Sequence, residues 1–305
     1  MSGSKTSTTD RAVEAYLTQA RARVDAVLES WGVRAGEWWP APVPAAMRYS
    51  LLSTGKRLRP TLVFAAAESV GGTAECVAEL AAAVEVVHAY SLVHDDLPCM
   101  DNDDLRRGRP TTHRAFDVPT AVVAGYHMVA LGARVLDAGL AALGPEARRG
   151  IALELFRAAG AGGMIGGQAL DLEAEGRRLP PTELEDVHRR KTGALISAAC
   201  VIGAIAAGAP GAACEALRGY GADVGLAFQI YDDVLDATAT SDQLGKTAGK
   251  DAAGGKSTFV TLLGAGPARA EAERLAARAV DRLRQAGLVS PTLAGLAHYI
   301  VTRPN

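Results

Sequence analysis

Long stretches rich in Ala, Leu and Val recur along the chain, with apolar positions three and four residues apart. That is the period of a helix with one buried face. Alternating β-branched runs bounded by turn residues, which would mark half-buried strands, do not recur. The spacing predicts helices over 10–30, 44–53, 59–70, 75–97, 119–140, 147–174, 182–207, 212–237, 256–264, 267–286 and 291–302. Prolines punctuate them, at Pro98, Pro110, Pro119, Pro180-Pro181, Pro210, Pro267 and Pro291, because the ring removes a backbone donor and clashes with the preceding turn. Thr182 with Glu185 has the pattern of a capping box opening the 182–207 helix. No compositional shift or linker divides the chain. The expected fold is all-α: a single-domain helical bundle over 10–305 behind a flexible tail, 1–9. Abundant Ala and Gly let helix axes approach closely, so that helix ends can converge on a deep central cavity.

Composition narrows the field. The net charge of -2 lacks the basic surplus of a nucleic-acid protein, so no nucleic-acid partner is expected. Anion binding must come from locally placed cations. Cys76, Cys99, Cys200 and Cys214 form no C-x-x-C pair, and a reducing cytoplasm is the simplest setting. Met1–Thr9 shows no signal-peptide pattern. No uninterrupted apolar stretch is long enough to span a bilayer; the nearest, Ala194–Ala207, is short and carries Ser197 and Gly203. The stretch Thr238–Gly255 is polar and Gly-rich, a long connection of the kind that often carries function.

Two acidic clusters stand out against this apolar background. The first runs His94-Asp95-Asp96-Leu97-Pro98-Cys99-Met100-Asp101, closing the helix that contains Val84–Val93. Pro98 breaks the helix between Asp95 and Asp101, so the chain can fold back and bring both carboxylates together. The second is Asp232-Asp233-Val234-Leu235-Asp236, where Asp232 and Asp236 share a helix face with Gln229 and Asp233 beside them. Such carboxylates either lie hydrated on a surface or bind cations. Oxygen-only ligands favour magnesium, which keeps waters and shares coordination with phosphate oxygens. Two such groups on facing helices point to a diphosphate held between them.

Cations recur beside these clusters. Lys56, Arg57 and Arg59 sit at the mouth of a helix, Arg106 and Arg107 follow the first cluster, and Lys191-Thr192 lies mid-chain. Lys246 and Lys256 flank the Gly-rich connection. Arg forks match phosphate oxygens in pairs, whereas Lys acts as a point charge. The pattern suggests two anion pockets. His88 either donates to a diphosphate or is a satisfied core residue, and His113, His127, His188 and His298 show no metal spacing.

In order, the chain reads GKRLRP at 55–60, HAYSLVHDDLPCMDNDDLRRGRPTTH at 88–113 and GGMIGGQALDL at 162–172. RKTGALI at 190–196, GLAFQIYDDVLD at 225–236 and LGKTAGKDAAGGKSTFVTLLG at 244–264 follow. This series resembles the short-chain trans-prenyltransferases, the family of bacterial farnesyl and geranylgeranyl diphosphate synthases. The resemblance implies an isoprenoid-synthase bundle, an enzyme and a homodimer. Its substrates would be isopentenyl diphosphate and an allylic diphosphate, dimethylallyl or geranyl. It implies three magnesium ions per site, with manganese as a substitute: two on Asp95 and Asp101, one on Asp232, with Asp96, Asp233 and Asp236 in support. It implies Arg106, Lys191 and Lys246 on the allylic diphosphate, and Lys56, Arg59, His88 and Arg107 on isopentenyl diphosphate. Thr192 and Gln229 would line the reacting centre and Lys256 would close over the diphosphate.

One departure is plain. Where the family commonly has Ala-Gly-Asp, this chain has Ala124-Gly125-Tyr126-His127, which could bear on helix capping, a dimer contact or the product tunnel. Tyr90, five residues before Asp95, lies about a turn and a half deeper on its helix. It is read either as the floor that stops chain growth at the C15 product, farnesyl diphosphate, or as ordinary core. A geranylgeranyl product is the near alternative. Two other classes are a class I terpene cyclase, which has no need of Lys56, Arg59 and Arg107, and a non-catalytic partner subunit, which would be expected to lack an aspartate motif.

Overall fold

The computed structural model describes residues 8–238 and 257–303. Lys246, Lys256 and residues 1–7 of the expected tail lie outside that range. Helices carry almost everything described: α1 (Thr8–Trp38), α2 (Val43–Leu51), α3 (Leu58–Ser69), α4 (Ala78–Asp95), α5 (Thr112–Ala115), α6 (Val118–Leu140) and α7 (Pro145–Ala159). They continue as α8 (Met164–Glu173), α9 (Pro181–His188), α10 (Ala194–Ala206), α11 (Gly211–Thr238), α12 (Phe259–Leu263), α13 (Ala265–Gln285) and α14 (Pro291–Thr302). The two-residue strands β1 (Leu105–Arg106) and β2 (Arg109–Pro110) form an antiparallel hairpin. The all-α bundle expected from periodicity is the fold observed.

α4 packs against α6, α3, α1 and α10, and α11 packs against α13 and α10. Leu80, Val84 and Val86 on α4 and Ile196, Leu217 and Ile230 around α11 are fully buried. Each such side chain stabilises the fold by about 1.5–3 kcal/mol. Asp95 closes α4 and Asp232 lies in the last two turns of α11, so these packed helices carry the site at their C-terminal ends.

Three expectations need correction. The 147–174 segment is two helices, because Gly160, Gly162 and Gly163 interrupt it and glycine is a poor helix former. Thr182 and Glu185 form no capping box: α9 opens at Pro181 with Pro180 as N-cap and no side-chain cap bond. Proline suits that first position, since its missing N–H would have had no helical partner. A reciprocal capping box does occur at Thr258 and Thr261, opening α12. Finally, Glu75–Asp95 and Val118–Leu140 are long and apolar enough to cross a membrane by length and composition. The first is a core helix, 67% buried over its apolar window, and the second packs one face against it.

Candidate active site

At the C-terminal end of α4 the chain folds back as Pro98 dictates. Asp101 N donates to Asp95 O at 2.8 Å and Asp103 N to Asp96 O at 3.3 Å, with Asn102 in the left-handed region at φ 50. Asp95 and Asp101 therefore sit at the same helix end. Burial pushes the Asp95 carboxyl up to about 7; Asp101 and Asp96 add to the rise while Lys191 and Arg106 oppose it. Asp96 turns the other way, into a bidentate pair with Arg106: Nε lies 2.8 and 2.9 Å from the two carboxylate oxygens and Nη2 2.5 Å from Oδ1.

Between α9 and α10 the backbone widens into one π turn, Arg189–Gly193. Such turns re-aim side chains and gather at functional sites. Here the turn presents Lys191, whose Nζ donates to Asp171 Oδ2 of α8 at 2.6 Å. Gln168, one turn earlier on α8, donates to Asp101 Oδ1 at 3.3 Å. α8 can approach this closely only because Gly167 lacks a side chain; a Cβ there would fall 2.1 Å from Lys191 N. The next residue of the turn, Thr192, donates its hydroxyl to Gln229 Oε1 of α11 at 3.0 Å.

Gln229 lies three residues before Asp232, so the second acidic cluster is tied to the first through the π turn. Burial raises the Asp232 carboxyl, with Asp236 adding to it and Arg303 and Lys56 opposing. Arg303, beyond the end of α14, places Nη2 on Asp232 Oδ1 while its guanidinium stacks on Phe228, 4.4 Å from the ring centroid. Asp233 faces elsewhere: its Oδ2 accepts Phe259 N at 2.9 Å and fixes the start of α12.

Opposite Asp232 lies a basin of cations. Lys56 is held below its ordinary pKa by burial, then by Arg303 and Arg107. Burial lowers Arg59 to about 10, opposed by Glu85 and Asp232, and its buried Nε has no partner within the protein. His88 is pushed well below its ordinary value by burial and by Arg59, Arg107, Arg106 and Arg57, which favours the neutral ring, with one nitrogen a donor and the other an acceptor. Arg107 enters from the hairpin, whose two-residue turn, Arg107-Gly108, has φ 53 and φ 73. Positive φ at both positions is what a tight hairpin of this twist requires. Lys56, Arg59, His88 and Arg107 thus lie within one another's electrostatic reach.

Tyr90 is 7% exposed and rests edge-on against His94, ring centroids 6.0 Å apart. His94 in turn meets Tyr126 at 5.3 Å. Tyr126 itself is largely exposed on the outer face of α6, beside Val123 and Val129.

The sequence did not single out Gln168, Asp171, Glu85 or Arg303. The first two lie inside the GGMIGGQALDL motif, which was the available signal; Arg303 depends on where the last helix returns and had none. The donor set is oxygen-only and carries a buried carboxyl displaced to about 7. Among the described residues no group of three or more His, Cys, Asp or Glu side chains is placed to hold a metal ion by itself. Oxygen-only donors suit magnesium, which binds through few carboxylates and is completed by phosphate oxygens and water.

Fold and site together define an all-α enzyme in which helix ends bearing carboxylates and cations are linked through the π turn. The chain belongs to the polyprenyl synthetase family, whose model matches residues 41–287. It is 45% identical over 267 residues to the farnesyl diphosphate synthase of Escherichia coli, covering 86% of this chain and 89% of that one. It is 44% identical over 276 residues to geranylgeranyl pyrophosphate synthase 9, chloroplastic, of Arabidopsis thaliana, covering 87% and 75%. The solved geranyltransferase of Helicobacter pylori, complexed with magnesium and isoprenyl diphosphate, superposes with a TM-score of 0.82 at 31% identity, covering 98% of each chain. The protein is a prenyltransferase of the head-to-tail type that defines this family.

Proposed function

We propose that the protein condenses isopentenyl diphosphate with dimethylallyl and then geranyl diphosphate, giving all-trans farnesyl diphosphate. The observation that carries this reading is the pair of charged regions joined through the π turn. Asp95, Asp101 and Lys191 lie on one side, and Lys56, Arg59, His88 and Arg107 lie on the other, next to Asp232. A terpene cyclase acts on one diphosphate and has no use for the second region.

In this reading Asp95 and Asp101 hold two magnesium ions and Asp232 a third, manganese substituting, with Asp236 near Asp232. Bound magnesium supplies charge that neutralises a departing diphosphate. Arg106, Lys191 and Lys246 grip the allylic diphosphate and orient the allylic carbon, and Lys256 closes over the diphosphate. Lys56, Arg59, Arg107 and neutral His88 hold isopentenyl diphosphate with its double bond toward that carbon; positioning of this kind supplies much of the rate. Thr192 and Gln229 line the reacting centre. Asp96 and Asp233 act indirectly, by fixing Arg106 and α12. Surrounding apolar helices exclude water from the allylic cation.

Tyr90 is proposed as the floor of the product cavity. The geranylgeranyl alternative draws on the Arabidopsis relative, nearly as similar as the bacterial one. Residues 10–305 are taken as one prenyl-transferring domain working in the cytoplasm as a homodimer. The apolar outer face of α6, with Val123, Tyr126 and Val129 exposed, supports the dimer.

The test is mass spectrometry of products from the purified chain with magnesium, isopentenyl diphosphate and dimethylallyl diphosphate. A C15 diphosphate is expected, and a C20 product selects the alternative. A cyclised hydrocarbon from an allylic diphosphate alone, or no product at all, overturns the reading.

A further inference from the structure

The cations at the mouth of α3 include one with no role so far. Arg57 points inward, 4% exposed, with its backbone in the left-handed region at φ 48. Its guanidinium is fully engaged: Nη1 donates to Glu85 Oε1 at 2.8 Å and Nε to Asp25 Oδ1 at 2.8 Å. Nη2 donates to the carbonyls of Leu51 at 2.7 Å and Ser53 at 3.1 Å. Its own carbonyl accepts the Thr61 hydroxyl at 2.8 Å. One side chain therefore stitches the end of α2 to the start of α3 and to the middle of α4.

The same loop is clasped from outside. Arg107 Nη1 donates to Thr54 O at 2.8 Å, and a Cβ on Gly55 would lie 2.4 Å from that nitrogen. Glu85, 2% exposed, sits three residues before His88 on α4, directly beneath the cation basin. Glu85 also draws Arg59 and Arg107 electrostatically. Bonded to Arg57 and attracting Arg59 and Arg107, this buried carboxylate constrains where the loop can stand.

We infer that Glu85 and Arg57 are positioning residues for the isopentenyl diphosphate pocket: their buried ion pair locks the 53–59 loop so that Lys56, Arg59 and Arg107 aim at one anion. This rests on the substrate assignment above. A simpler role, in which Glu85 only offsets surplus positive charge, predicts the opposite sign. Removing that negative charge would strengthen the field on a diphosphate, whereas removing a positioning partner lets the cations spread and weakens it.

The test combines calorimetric binding of isopentenyl diphosphate with steady-state kinetics for wild type, Glu85→Gln, Glu85→Asp and Arg57→Lys. For Glu85→Gln the KM for isopentenyl diphosphate should rise about ten-fold or more, as loss of a buried charge-assisted bond implies. The KM for the allylic diphosphate and kcat should stay within about two-fold, since Asp95 stands at the far end of α4 from the Arg57 contact and Asp101 and Lys191 are held by other elements. Glu85→Asp, which keeps the charge, should recover part of the loss, and Arg57→Lys should reproduce it. Unchanged or tighter isopentenyl binding in Glu85→Gln overturns the inference, as does a parallel rise in both KM values. Should Glu85→Gln melt below the assay temperature, the same split is read in Arg57→Lys and Glu85→Asp. Wild-type protein that neither binds isopentenyl diphosphate nor forms product refutes the substrate assignment instead.

Discussion

Thr192 Oγ1 donates to Gln229 Oε1 at 3.0 Å, and through this contact the turn bearing Lys191 is fixed to the helix bearing Asp232. The two acidic clusters lie 131 residues apart between Asp101 and Asp232, yet only two side chains separate their supports. Thr192→Val should remove the donor and leave the Gln229 carbonyl oxygen without it. Thermal unfolding should show a loss of about 1–2 kcal/mol, and kcat should fall more than either KM rises. Unchanged kcat would show that the contact does not hold the centre together.

Asp95 gives the protein a particular pH signature. Its carboxyl starts from an ordinary value of 3.8 and is pushed to about 7 in the fold, chiefly by burial. A raised acid favours the folded state below its unfolded value, and that advantage is lost as pH climbs through the window from about 4 to about 7. Without magnesium, the stability of Asp95→Asn relative to wild type should therefore grow across that window and level off above it. Melting curves at a series of pH values read this directly, and a flat difference would contradict it.

Arg303 holds Asp232 from the far end of the chain. Its side chain is 1% exposed, so Arg303→Met leaves Asp232 without its guanidinium and removes the stack on Phe228. Asp232 is 36% exposed, so water makes good part of the lost pair, and the melting temperature should drop by less than a fully buried pair would cost. A variant as stable as wild type would place the contact outside the energetics that matter.

Tyr90 bears on product length. Tyr90→Ala should shift the products from C15 towards C20 and longer, with stability lower by about 3 kcal/mol from the cavity left behind. Chromatography that still finds the wild-type length would return Tyr90 to ordinary core.

Much of this was legible in the sequence because it was local. Helical periodicity placed α4, α6 and α11, and Pro98 announced the return of Asp101 to Asp95. What was not legible depends on distant segments meeting. The 147–174 pattern stayed apolar across Gly160–Gly163 and hid a break, while Pro181, not Thr182, decided how α9 begins. Periodicity cannot see that Lys191 sits on a π turn, because one extra residue per turn leaves composition unchanged. Likewise the sequence marks Asp96 and Asp233 as acids, but only the fold turns one to Arg106 and the other to the Phe259 amide.

The central claim is that Asp95 and Asp232 serve one shared diphosphate centre. It is tested most directly by measuring kcat for Asp95→Asn, Asp232→Asn and the double variant with magnesium, isopentenyl diphosphate and an allylic diphosphate. Residues that act as one unit lose activity non-additively. Each single variant should fall by roughly 100-fold or more, and the double should be little worse than the poorer single. Fully multiplicative losses, or a single variant with near wild-type turnover, would mean the two clusters work apart.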